Sequence, residues 1–195
     1  MYFVLDAVAE FKKLLHRDDL PALCLTYYTS FDVGELSLSV LAYREIEFEE
    51  TPVIPLIFMV YEREEMSAHE YFFARFAKTI PEFKTLQRMC IIADEEIVIA
   101  NAIQKNCPEI PRLRCWRQAL LNIKNTLQLL NIKEIQQYEK DFLRLLEQNS
   151  ATNYKSLLAQ MYLKKWADVN NFTFHSYLNN VTNFFLIFSE IFKIF

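Results

Sequence analysis

The chain contains a single glycine, Gly34, in 195 residues. Glycine reaches positive φ without steric penalty, so a chain this poor in it has one favoured place for a tight hairpin reversal. Gly34 follows Asp32-Val33 and separates two β-rich runs. Residues 22–28 are apolar and aromatic, while residues 35–43 alternate through Leu36, Leu38, Val40 and Ala42, the period of a strand with one buried face. The pattern predicts a β-hairpin with its turn beside Gly34.

Residues 53–60 are apolar on both alternating faces, as in a central strand covered on each side, and Pro52 and Pro55 confine ladder irregularities to its first half. Ser67 and Glu70 have capping-box spacing, and Phe72, Phe73, Phe76 and Ile80 then line one face of a helix that stops before Pro81. Residues 89–92 form a short β-rich run leading into Asp94. Behind it, Ile97, Ile99, Ala100 and Ile103 line a helix ending near Cys107-Pro108. Residues 113–116 supply one more short strand, and Ala119, Leu120, Ile123, Leu127 and Leu130 another helix.

Ahead of the hairpin, Val4, Val8, Phe11 and Leu15 predict an opening helix ending at His16-Arg17-Asp18-Asp19. From Lys133 onward the signal is helical, through Ile135, Tyr138, Phe142 and Leu145 and then Tyr154, Leu158 and Met161. The Asn- and Phe-rich tail is a packing or aggregation liability. Four segments result: an N-terminal helix (1–20), a core (21–131), a helical region (132–170) and a tail (171–195). The order β-β-β-α-β-α-β-α followed by helices predicts an α/β mixed sheet, its first three strands antiparallel, with flanking helices and a helical C-terminal part. That is the order of the ribonuclease H-like group, and other α/β folds can share it.

Length bounds the chain to one main domain. The net charge is −4 with Lys and Arg spread evenly, so no basic footprint marks a nucleic-acid partner. The four cysteines form no C-x-x-C pair, which favours free thiols in a reducing, intracellular compartment. The most apolar stretches, 53–60 and 184–195, fall short of the ~18 residues of a membrane span, so no membrane partner is expected. A homo-oligomer stays open.

Four blocks carry a family resemblance. Leu25-Thr26-Tyr27-Tyr28-Thr29-Ser30-Phe31-Asp32-Val33-Gly34 resembles the first strand and turn of Mutator-like element (MULE) transposases, whose pattern is close to Y-D-T-T-F-N-x-G. Pro52-Val53-Ile54-Pro55 with Tyr61-Glu62-Arg63 resembles that family's third strand and the start of its next helix. Ile92-Ala93-Asp94-Glu95-Glu96 with Ala100-Asn101-Ala102-Ile103 resembles its T-D-G-E-x-A-I-x-N-A-I block, and Leu113-Arg114-Cys115-Trp116-Arg117-Gln118 its L-R-C-W-x-H signature. Together these blocks run in family order across residues 23–130.

The resemblance implies a ribonuclease H-like DDE enzyme that cuts DNA at transposon ends and joins the freed 3′ hydroxyl to a target, in the nucleus, with Mg²⁺ or Mn²⁺ held by Asp, Asp and Glu. Two-metal phosphodiester chemistry needs carboxylates that fix both ions close together. By resemblance the first Asp falls on Tyr28, and a tyrosine phenol is uncharged at neutral pH and longer than a carboxylate, so a metal ligand is lost there. Asp32 and Glu35 lie beyond the strand, in the turn.

Asp94 matches the second Asp and is the one retained acid, the catalytic and metal residue the resemblance would assign. Asp at a helix N-cap with Glu95 and Glu96 in the first turn is equally what capping and the helix dipole select. No acid falls where the third is wanted, before Leu163-Lys164-Lys165-Trp166; Glu147 is the nearest and reads as a solvated helix charge. The family's C-x-x-H becomes Cys115-x-x-Gln118, which leaves Cys115 as a small buried residue, and His16, His69 and His175 read as surface residues.

Three functional readings follow. The first is a transposase-derived domain, catalytically dead as written. The second is a non-enzymatic, domesticated binding or chromatin-associated module that keeps the fold. The third is an unrelated α/β domain whose motif agreement is accidental.

Overall fold

The computed structural model describes residues 1–19, 23–45, 48–62, 65–85, 89–148, 150–161 and 175–176. The chain divides into two units, Met1–Cys115 and Trp116–Phe195. In the first unit a two-residue strand, β1 (Tyr2–Phe3), leads into helix α1 (Leu5–Leu15). Three longer strands follow, β2 (Leu23–Val33), β3 (Leu36–Arg44) and β4 (Val53–Tyr61), then helix α2 (Met66–Thr79) and a 3₁₀ turn at Pro81–Thr85. Strand β5 (Met89–Ala93), helix α3 (Ile97–Asn106) and strand β6 (Arg112–Arg114) complete it. The sheet order is β1-β4-β3-β2-β5-β6.

Strands β2, β3 and β4 form the antiparallel meander expected from their alternation, and β5 and β6 each run parallel to the strand before them in the sheet. Gly34 sits at the tip of the β2–β3 hairpin with φ +71°, the left-handed conformation that an L side chain resists. The turn occupies Gly34 and Glu35, because Val33 already pairs with Leu36. Asp32 therefore belongs to β2 rather than to the turn, and β2 runs well past residue 28.

Alternation along β2 sorts its side chains: Leu23, Leu25 and Tyr27 are buried on one face, which Tyr27 shares with α2 through ring contacts at 5.0 Å to Phe72 and 4.8 Å to Phe73. Helix α2 presents Phe72, Phe73 and Phe76 on one helical face, all fully buried, and Phe76 stacks on Phe83 of the 3₁₀ turn at 5.1 Å. Phe11 of α1 meets Tyr43 of β3 at 5.0 Å, so the opening helix belongs to the same core as the sheet. Each buried phenylalanine contributes roughly 2–3 kcal/mol of transfer free energy.

Two expectations are corrected here. Residues 53–60 do not form a central strand: β4 lies between β1 and β3, one place from the sheet margin, and Val53 and Val60 are exposed. Its irregularity does fall in the proline-bearing half, where the register against β3 slips between Leu41 and Ala42, the latter opposite Pro55. The capping box of α2 is absent too. The helix begins at Met66 with Glu65 at its N-cap and no side-chain capping bond, and the Ser67 hydroxyl donates to the Glu65 carboxylate at 3.4 Å.

The second unit contains, among the described residues, helices α4 (Trp116–Leu129), α5 (Ile135–Leu146) and α6 (Ala151–Met161) around their own core of Ile123, Leu127, Tyr138, Phe142, Leu145 and Tyr154. Helix α4 ends in a Schellman motif. Asn131 takes φ +56°, its N–H donates to the Gln128 carbonyl at 3.0 Å, and the Ile132 N–H donates to the Leu127 carbonyl at 3.0 Å. The segment Leu163-Lys164-Lys165-Trp166 and all of the tail but residues 175–176 lie outside the described residues. No helix among the described residues is long and apolar enough to cross a membrane.

Candidate functional site

Strands β2 and β5 pair in parallel as Leu23 with Met89, Cys24 with Cys90, Leu25 with Ile91 and Thr26 with Ile92. The pairing ends at Thr26 and Ile92, two residues before Tyr28 on β2 and before Asp94 in the loop after β5. Tyr28 has the parity of Cys24 and Thr26, opposite to the buried Tyr27, and is 58% exposed.

Asp94 is the first residue beyond β5, half-buried, and its carboxyl is held above the usual carboxylate range by burial. It is not the N-cap of α3. That position belongs to Glu96, without a side-chain capping bond, and no acid stands in the first turn, so capping does not account for Asp94. The loop is pinned through its backbone: the Arg112 guanidinium donates to the Asp94 carbonyl at 3.1 Å, and the Cys115 N–H donates to the Ala93 carbonyl at 2.9 Å. Arg114 pairs with the Glu95 carboxylate. Burial and the neighbouring Arg114 lower the Arg112 guanidinium from its usual range.

Of the two positions, Asp94 offers a carboxylate and Tyr28 an exposed phenol. Among the described residues no group of three or more His, Cys, Asp or Glu side chains is placed to hold a metal ion. Two divalent ions require several converging carboxylates, so these residues do not fit the pair of ions that the transposase resemblance implies. Glu147 is an exposed residue at the C-cap of α5, in the second unit, and the Gln118 amide donates to Asn122 at 3.4 Å one turn along α4. Cys115 is half-buried rather than buried.

The sequence reading missed a polar cluster in the core of the first unit. The Tyr27 hydroxyl lies 2.9 Å from Ser39 Oγ and 2.7 Å from His69 Nδ1, and Ser39 Oγ lies 2.9 Å from the Tyr61 hydroxyl. His69, expected at the surface, is fully buried on α2. The signal that could have found it is its spacing: His69, Phe72, Phe73 and Phe76 stand at i, i+3, i+4 and i+7, one helical face. Burial pushes the His69 imidazole below its usual range, so it is neutral at pH 7 and serves the core as a hydrogen-bonding group. His16 is exposed and His175 half-buried.

No protein-family model matches the chain, and no curated protein does.

Proposed function

We propose that this chain is a degenerate MULE transposase catalytic domain on a ribonuclease H-like fold, without the DNA cleavage and strand-transfer activity of that family. The observation that carries the reading is the parallel pairing of β2, which carries Tyr28, with β5, which leads into Asp94, the two positions matching the family's first and second acids. The strand order supports it. An antiparallel meander whose first strand is flanked by the parallel strand that follows the first crossover helix is the ribonuclease H-like arrangement, with β1 added outside β4.

Inactivity follows from chemistry at position 28. A phenol lacks the charge of a bridging carboxylate and is longer than one, and Asp94 alone cannot fix two ions. On this reading the ancestral partner is DNA and the place of work the nucleus. Purified protein with Mg²⁺ or Mn²⁺ is expected to leave supercoiled DNA un-nicked; metal-dependent nicking abolished by Asp94→Ala overturns the inactivity. The ancestry has its own test. Tyr28→Asp restores a second carboxylate and is expected to raise Mn²⁺ affinity in calorimetry, and unchanged binding would sink the assignment of position 28.

A further inference from the structure

Cys24 and Cys90 stand directly opposite each other on β2 and β5, and the Cys90 thiol donates to Cys24 Sγ at 3.2 Å. Neighbouring strands run about 4.8 Å apart, within the Cα separation of about 4.4–6.8 Å that a disulfide accepts. Closing the two sulfurs to a bond of about 2.05 Å therefore needs a side-chain adjustment of roughly 1 Å and no movement of the strands. All four cysteines are free thiols here. Cys24 is half-buried and Cys90 fully buried, so a small oxidant meets Cys24 first.

We propose that Cys24 and Cys90 form a redox-active dithiol that a peroxide closes to a disulfide linking β2 to β5. Hydrogen bonding from Cys90 holds the Cys24 thiol below its usual range, and the same bond together with burial holds Cys90 above its own. This divides the roles into an attacking thiolate and a resolving thiol. The Cys24 thiolate attacks one peroxide oxygen, the O–O bond breaks, and hydroxide leaves and is protonated to water, giving Cys24 sulfenic acid. The Cys90 sulfur then attacks the sulfenic sulfur. The S–S bond forms, the S–O bond breaks, and the Cys90 proton leaves with the hydroxyl as a second water. Two thiols are oxidised and one peroxide is reduced to two waters.

The link joins β2, which carries Tyr28, to β5, which leads into Asp94, while Cys107 and Cys115 take no part.

The test is treatment of the reduced full chain with hydrogen peroxide, followed by denaturing alkylation and peptide mapping. The expected result is loss of two of the four alkylatable thiols, a mass decrease of about 2 Da, and a Cys24–Cys90 linked peptide that dithiothreitol releases. Cys24→Ser should abolish the link, and the Cys107→Ser, Cys115→Ser double variant should retain it. Should Cys24→Ser fail to fold, the linked peptide from the unsubstituted chain decides the matter. Over-oxidation of Cys24 by about 32 Da with Cys90 still alkylatable, a link through Cys107 or Cys115, or no reaction at all overturns the proposal.

Discussion

The Tyr27 hydroxyl lies 2.7 Å from Nδ1 of His69, so strand β2 and helix α2 share a polar contact inside an otherwise aromatic core. Tyr27→Phe removes that hydroxyl while keeping the ring contacts to Phe72 and Phe73, and leaves His69 Nδ1 and Ser39 each short of a buried partner. The expected destabilisation is about 1–3 kcal/mol, read from the urea midpoint at constant m. A midpoint equal to that of the unsubstituted chain would show that the contact contributes nothing net.

His69 gives this core a pH dependence of definite sign. Its folded-state pKa is depressed by burial, so the unfolded chain binds the proton more readily. Stability is fully present above the unfolded value of about 6.5 and is lost as pH falls from there toward the folded value. Between pH 7 and pH 5 the unsubstituted protein should therefore lose more stability than His69→Gln, both carrying the same carboxylates. Parallel losses in the two proteins would mean that His69 does not titrate on unfolding.

Phe72 is fully buried between Tyr27 and Phe73. Truncation to alanine removes a ring and leaves a cavity, which should lower stability by about 3–5 kcal/mol. A loss below about 1 kcal/mol, with secondary structure intact by circular dichroism, would mean that α2 does not pack on the sheet as described.

The left-handed positions respond in opposite directions. A Cβ at Gly34 would meet nothing within 4 Å, so Gly34→Ala is penalised by the backbone conformation alone, at about 1–2 kcal/mol. Asn131 and Thr51 hold φ +56° and +42° with side chains attached, and Thr51 is β-branched, the less tolerant type. Asn131→Gly and Thr51→Gly should each leave stability unchanged or raise it by up to about 1 kcal/mol, with Thr51 gaining more. Thermal melts of the three variants check the order.

Much of the architecture could be read before any coordinate was known, because long elements announce themselves by period. Leu36, Leu38, Val40 and Ala42 alternate, and Phe72, Phe73 and Phe76 recur at helical spacing; both signals come from burial of one face. What stayed hidden depends on partners. Strand β1 is two residues whose strand character comes from pairing with Phe58 and Ile57 of β4, and β2 is carried past Tyr28 by its ladder to β3, although Ser30 and Asp32 favour turns. Polarity placed His69 at the surface and ignored the helical face it shares with three phenylalanines. At the candidate site, spacing could align Tyr28 with Asp94 only by resemblance, because register is a property of two strands. The Cys24–Cys90 contact was invisible for the same reason.

The sheet keeps its long strands inside and its shortest ones, two and three residues in β1 and β6, at the margins. The first stretch of β4 that β1 leaves bare, before Ile57, contains Pro55 and a slipped register against β3, both of which spoil a template for an incoming strand. Runaway ladder growth from chain to chain, the route by which β-rich proteins form fibrils, finds little purchase on such rims.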